Sequence, residues 1–305
     1  SAEQVLGGVA DDLVADAAVG DETMQPHPDP EPAPVPAIHL NHDHHCDLPT
    51  QAEVDVEVQV LGPVDVDGVD ANIRLRSIEV IAYLALHRRG VTGDQLKTAI
   101  WPDRSPTQGT FSTTVYRART VLGVDRDGNH HLPRADTHEP TYTLGPHVAT
   151  DLDRFYRLVQ RATDADEAEV EMAELRSALE LVRGQPFEAV TGFEWAFTEG
   201  FVVEAEATIA DAAHRLAQLA LQRGDATQAM WAASRGLLAT PGSEPLYRDR
   251  MEAAHLQGDP AAVDRIVEEL IRYVETSDPL DDLHPDTIAL WRPYGRSRSA
   301  GSGAG

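Results

Sequence analysis

The stretch TFSTTVYRARTVLG, residues 110–123, concentrates side chains able to donate and accept hydrogen bonds. At a helical period, Phe111, Val115, Ala118 and Leu122 fall on one apolar stripe. The opposite face carries Thr110, Thr113, Thr114, Tyr116, Arg117 and Thr120, with Arg119 toward one side. A guanidinium fork suits guanine O6 and N7, and a threonine suits a base edge or a thymine methyl. The spacing predicts a helix from about Thr107 to Leu122, with Ser105 or Thr107 as its N-cap and Gly123 as its stop. Such a helix has the size and chemistry to lie in a major groove, with Arg117, Thr113 and Thr114 at bases. Arg119, and Arg134 in the segment that follows, are the expected phosphate contacts.

Other chemistry is thinner. HLNHDHHC offers His39, His42, His44, His45 and Cys46, ligand types that suit zinc. Its spacing is not that of a finger or ribbon, so it reads as a polar linker with loose metal affinity. His39, His42, His45 and Cys46 are the residues a metal would use. His130, His131 and His138 read as solvated. Trp101, Trp195, Phe193 and Phe197 read as packing residues rather than a ligand box. No phosphate-cradling GxxxxGK[ST], nucleophile elbow or HExxH occurs, and no cofactor or enzymatic activity is expected.

The elements that must hold the arginine-bearing helix can be read on both sides of it. Residues 1–50 are acidic and proline-rich, as in MQPHPDPEPAPVPAIHL, and are expected to be a disordered linker. EVDVEVQVLGPVDVDGVDANIRLR alternates acid with valine, and Gly62-Pro63 and Asp67-Gly68 cut it into two to four short antiparallel strands. SIEVIAYLALHRRG places Ile78, Ile81, Leu84 and Ala85 on one helical face. TGDQLKTAIWP starts at a capping Thr92, buries Leu96, Ile100 and Trp101, and ends at Pro102. NHHLPRADTHEPTYTLG reads as two short strands around a polar turn. The order is sheet, three helices, hairpin, over residues 51–148.

From Asp151 to residue 293 the pattern is helical throughout. Gly224-Asp225 recurs as Gly258-Asp259, an offset of 34 residues. Around it Ala220 matches Ala254, Ala229 matches Val263, Ala233 matches Val267 and Leu237 matches Ile271. That is the period of a tetratricopeptide unit, two helices with small residues where they cross. The long apolar helix after Phe197 is expected to be the spine of this region, or a dimer contact. Residues 294–305 read as a flexible tail.

VLGPVDVDG, YLALHRRGVTGDQLKTAIWPD, TFSTTVYRARTVLG and TDLDRFYRLV, in this order, resemble the actinobacterial antibiotic regulatory proteins. The resemblance covers about residues 53–293. It implies a mostly α protein: an α+β winged helix-turn-helix at 51–148, then an all-α, tetratricopeptide-like bacterial transcriptional activator domain at 151–293. It further implies transcription regulation, with double-stranded DNA on the winged helix. RNA polymerase or a signalling partner would meet the helical part, and a homodimer is a family expectation. The HLPR…YTL…TDLDRF segment is similar to a subgroup at the C-terminus of membrane-anchored chains carrying a LysM module. Residues 1–50 would then be the tether. Two positions depart from the family pattern: Thr120 stands where a third basic residue is usual, and Thr141-Tyr142-Thr143 replaces a Gly-Tyr-Arg wing.

Charge sets the terms of any contact with a polyanion. The formal net charge is -26, with -10 in residues 1–50, -3 in 51–150 and -13 in 151–305. Only the middle third approaches neutrality, so DNA would be met there while the flanks repel it. A single cysteine fits a reducing, cytoplasmic compartment, and no apolar run is long enough to meet a membrane. The absent initiator Met fits a piece of something longer, such as the cytoplasmic end of an anchored protein. The rival expectation is a protein-interaction scaffold that keeps the winged-helix shape but not the affinity, its arginines dispersed or tied up in ion pairs.

Overall fold

The computed structural model describes residues 54–69, 73–135, 141–189, 191–275 and 278–294. The HLNHDHHC histidines and cysteine, His138, the linker expected at 1–50 and the tail lie outside the described residues.

Strand β1 (Val56–Gln59) pairs antiparallel with β2 (Asp65–Asp67), Val58 opposite Val66. Alternation of valine and acid puts Val56, Val58 and Val66 inward. On its other side β1 pairs in parallel with β5 (Val148–Thr150), so this sheet is mixed rather than purely antiparallel.

Three helices follow β2. Helix α1 (Leu75–Leu86) was expected to bury one face; it buries nearly all of its circumference, from Ser77 and Glu79 through Ala85. The reason is that later elements pack on its second side. Helix α2 (Gly93–Ile100) starts at a complete capping box, Thr92 with Gln95. Leu96 and Ile100 are fully buried and Trp101 is half-buried. Helix α3 (Gln108–Leu122) is capped by Thr107, whose hydroxyl accepts from Thr110 N, and stops at Gly123 with φ 68°. Before α2, β3 (Val91–Thr92) pairs antiparallel with β4 (Thr141–Tyr142). Of the two strands expected in the 129–145 segment, β4 is the one formed among the described residues, where His130 makes an isolated bridge to Val124. His131 is buried, 3 % exposed, and not solvated as its polarity suggests. Burial pushes its pKa down, because a charged imidazolium is poorly hydrated there.

The remaining chain is helical: α4 (Asp151–Thr163), α5 (Ala168–Glu180), α6 (Glu194–Thr198), α7 (Phe201–Gln222), α8 (Ala226–Ala239), α9 (Glu244–Leu256), α10 (Pro260–Val274), α11 (Pro279–Asp282) and α12 (Pro285–Tyr294). The repeat is visible in three dimensions. Gly224 (φ 74°) and Gly258 (φ 71°) both make left-handed turns, and Asp225 and Asp259 cap α8 and α10 in the same way. Ala220, Ala254, Ala229, Val263, Ala233 and Val267 are all buried. At Gly236 a Cβ would stand 2.6 Å from Ala213 Cβ and from Leu246 Cδ1, so α8 crosses α7 and α9 at glycine distance. The expected long helix after Phe197 forms unbroken as α7, and Gly200 (φ 87°) separates it from the short α6.

The two regions share one core. Asp151, at the start of α4, accepts from Val60 N at 2.7 Å and Leu61 N at 3.1 Å. Residues 60–64 run beside 183–188 through Phe187 N to Val60 O, Arg183 N to Leu61 O and Val64 N to Glu188 O. Buried Glu79 of α1 accepts from Arg76 (2.7 Å) and from Phe193 N (2.9 Å) just before α6. Tyr83 of α1 and His87 at its C-cap meet Trp195 edge-on at 4.9 and 6.3 Å, and His87 Nε2 stands 2.9 Å from Glu199.

Candidate nucleic-acid interface

Helix α3 has the two faces its sequence predicts. Phe111, Val115, Ala118 and Leu122 are buried against the core; Thr110, Thr113, Tyr116, Arg117 and Thr120 are exposed, Tyr116 at 63 %. The helix contains no carboxylate. Arg117 is exposed and makes no hydrogen bond or ion pair among the described residues, which leaves its guanidinium fork available. Thr120 Oγ1 donates to Tyr116 O at 2.9 Å and Thr110 Oγ1 lies 3.0 Å from Thr107 Oγ1. Both hydroxyls keep lone pairs toward solvent.

One expected base contact is buried and one expected phosphate contact is partly engaged within the fold. Thr114 is 9 % exposed, and its hydroxyl donates to Thr110 O at 3.0 Å, so it faces inward and reaches no base. Arg119 is a strut: its Nε donates to Leu132 O at 2.8 Å and an Nη to Pro133 O at 3.1 Å. Burial, with the neighbouring charge of Arg134, lowers its pKa from the usual arginine value. Two of its five N–H donors therefore pin the segment after α3. Arg134, one residue beyond that clamp, is exposed and without a partner among the described residues.

The segment is fixed from its other end by Tyr142 of β4, which packs edge-on to Phe111 at 5.7 Å. Gly90, with φ 83°, lets β3 approach β4: a Cβ there would come 2.4 Å from Thr143 Oγ1. Much of the other positive charge is spent internally. Arg88 pairs with Asp153 (2.7 Å), Arg126 with Asp55 (2.7 Å), Arg76 with Glu79 and Lys97 with Asp94 (3.0 Å). Arg104, at the loop leading into α3, remains without a partner among the described residues and lines a hollow of about 460 Å³ with Arg76 and Thr107. Among the described residues no cluster of histidine, cysteine or carboxylate could hold a metal, and no helix is long and apolar enough to cross a membrane.

Residues 150–275 match the bacterial transcriptional activator domain. The matched segment begins at the Thr150–Asp153 cap and ends at the C-terminus of α10, so the helical repeat is the core of this domain. Among solved structures the chain is similar to Mycobacterium tuberculosis EmbR in complex with a low-affinity phosphopeptide. The TM-score is 0.55 at 22 % identity, over 79 % of this chain and 65 % of that one. The likeness is one of fold, and the chain spans about two thirds of the EmbR structure. No curated protein matches the chain. The domain match agrees with the activator domain that the sequence motifs imply for residues 151–293.

The sequence reading missed the residues that join the α3-bearing region to the activator domain: Glu79, His87, Asp151 and Trp195. Asp151 left no signal, because an acid in the first turn of a helix reads equally well as a solvated residue. Glu79 left none, because SIEVIAYLAL reads equally well with its acid facing water. Phe197, grouped with the packing residues, is instead 60 % exposed.

Proposed function

We propose that this chain is a transcriptional regulator, non-enzymatic and cytoplasmic, whose residues 54–150 are a winged helix-turn-helix that reads double-stranded DNA through α3. The observation that carries this reading is the exposed, carboxylate-free face of α3, where Thr113, Tyr116 and Arg117, which has no partner among the described residues, stand together with Thr110 and Thr120 at their margins. Arg117 suits a bidentate base contact, and Arg134 and Arg104 suit phosphates on either side. The activator domain contacts RNA polymerase or another protein through its helical hairpins, a mode that repeat arrays support with their extended surfaces. The actinobacterial antibiotic regulatory family, a homodimer on tandem half-sites, and a place at the cytoplasmic end of a longer LysM-type anchored protein are parts of the same proposal.

One observation favours the rival reading, a scaffold that binds protein and not DNA. Arg76, Arg88, Arg126 and Lys97 are held in ion pairs, and Arg119 is held on carbonyls. Fluorescence anisotropy of the full chain with random and selected duplexes across a salt series separates the two. DNA reading predicts saturable binding that weakens steeply with salt and prefers selected sequences. Arg117→Ala then loses about 1–3 kcal/mol of affinity for the selected site. Absence of binding to any duplex at low salt establishes the scaffold.

A further inference from the structure

Helix α8 differs in charge from the rest of the activator domain. It holds no carboxylate, whereas every other helix from α4 to α12 holds at least one. Its alanine-rich side packs on α7 and α9. Its outward strip is Thr227, Met230, Trp231, Ser234, Arg235 and Leu238, none of them fully buried. The 34-residue repeat supplies an internal comparison. The matching positions of α10 are Ala261, Asp264, Arg265, Glu268, Glu269 and Arg272, all charged but the first, as on an ordinary solvated face. Arg265 is held by Asp259 at 3.2 Å and Glu269 by Arg250 at 3.0 Å. On α8 the same positions present Met230, Trp231 and Leu238, with Arg235 as the one charge. Arg176 of α5 adds a second cation. Its guanidinium lies over the Trp231 ring at 4.6 Å, and that of Arg235 at 5.8 Å. A guanidinium stacked on a ring face keeps its edge for hydrogen bonds. Arg176 gives one nitrogen to Glu180 (3.2 Å), and Arg235 gives one to Val182 O (3.1 Å). Most of each five-donor fork is therefore unspent among the described residues.

We propose that this strip docks an acidic, apolar-bearing peptide segment of a protein partner. Complementarity of charge selects that occupant. Residues 151–305 carry a net charge of -13, which disfavours an acidic ligand on the domain as a whole; at this strip it meets two cations and no α8 carboxylate. The Arg176–Glu180 pair is exposed on both sides, at 48 % and 53 %, and a surface pair of that kind contributes little and yields to a ligand carboxylate. Met230, Trp231 and Leu238 take the ligand's apolar side chains. Tryptophan, methionine and arginine are enriched where protein interfaces concentrate their energy, and aspartate and glutamate are depleted there. The apolar share also sets the strip apart from a phosphate-binding surface, which needs cations alone. The inference rests on the reading above that the activator domain contacts a protein, and gives that contact a place and a chemistry.

The test uses the full chain without DNA. A fluorescein-labelled peptide that alternates aspartate pairs with leucine and phenylalanine is titrated by anisotropy, with its asparagine analogue as the uncharged control. Proton–nitrogen correlation spectra locate the contact through the Trp231 indole, assigned as the resonance lost in Trp231→Phe. The proposal expects the aspartate peptide to bind saturably and to shift Trp231. The asparagine analogue binds about tenfold more weakly or worse. Arg176→Gln raises the dissociation constant about threefold, as loss of an exposed charge contact does. Ser234→Glu gives α8 the carboxylate that α10 carries at the matching position, Glu268. It weakens binding about tenfold or more while the melting temperature stays that of the wild type. The proposal is overturned if no saturable binding is seen up to millimolar peptide, if the asparagine analogue binds alike, or if Ser234→Glu binds as the wild type does. A random duplex that moves Trp231 and displaces the peptide assigns the strip to nucleic acid and overturns it as well. Binding that leaves Trp231 unmoved but shifts backbone amides elsewhere in residues 151–293 overturns the strip alone, and the protein-contact reading stands. The DNA reading is judged separately, by its own titration.

Discussion

Arg117 and Arg119 are two residues apart on one helix and do different work. Arg117 points to solvent from the face of α3 that carries Thr113 and Tyr116. Arg119 is turned toward Leu132 and Pro133, whose carbonyls its guanidinium occupies. The helical period alone places both near the polar face, and it cannot say which one the following segment will cover. The same holds for Thr114, polar by type and buried by position. The candidate site was thus legible in residue type and only partly in placement: Thr113, Tyr116 and Arg117 lie on the exposed face and Arg119 to one side of it, as read, whereas Thr114 is buried. The distinction has a measurable consequence. Arg119→Met removes two hydrogen bonds from a half-buried cation and leaves the Leu132 carbonyl unpaired. It should cost about 1–3 kcal/mol of stability in urea denaturation. Arg117→Met, which breaks nothing, should stay within about 0.5 kcal/mol of the wild type. Equal stabilities for the two variants would show that Arg119 is not the strut its geometry indicates.

Elements follow sequence more faithfully than single roles do, because their signals are local. Thr107, Gln108–Leu122 and Gly123 behave as cap, helix and stop, since the hydroxyl and the φ 68° glycine act within a few residues of themselves. The 34-residue repeat was legible for the same reason: alanines and valines at matching positions must be small where helices cross. What no repeat reveals is the polar bond between its units. His214 of α7 stands 2.7 Å from Asp249 of α9, a carboxylate 1 % exposed that also accepts from Gln218 at 2.7 Å. The hydrogen bond to Asp249 raises the His214 pKa above its ordinary 6.5, against the opposing effect of burial. Glu252 adds to the raising and Arg248 opposes it. A folded state that holds the proton more tightly than the unfolded chain is stabilised in acid. The contribution is complete below the unfolded value of 6.5 and is lost as pH rises through the folded value. Thermal melts should therefore show the gap between wild type and His214→Gln narrowing from about pH 5.5 to about pH 8.5. A gap that is constant across that window would mean the proton plays no part in joining α7 to α9.

At the scale of the whole molecule the chain is less modular than its sequence. Composition and periodicity divide it near Asp151, and the division is where the strongest bonds between regions lie. Asp151 caps Val60 and Leu61 across 91 and 90 residues of chain, and Glu79 holds Phe193 N across 114. Nothing in a local pattern specifies such partners, and this is why α1 was read with one buried face when it has two. The consequence for function is mechanical. In the proposed regulator a signal received by the activator domain would reach α3 through α1, because α1 packs on α3 on one side and on the 193–201 aromatic cluster on the other. Gly192, with φ 89°, sits so close to the Glu79 carboxylate that a Cβ would come 3.0 Å from it, so the α6 approach is shaped around that one side chain. Glu79→Ala leaves Phe193 N–H buried without its acceptor and Arg76 without its ion pair, a loss of about 1–3 kcal/mol. If the two regions are one cooperative body, hydrogen exchange in this variant should rise together in α3 and in α8, by the same factor of roughly ten to a hundred. Independent halves predict a rise confined to residues around α6. That outcome would uncouple the exposed face of α3 from the activator domain, and would move the search for signal transmission in the proposed regulator from the shared core to a partner protein.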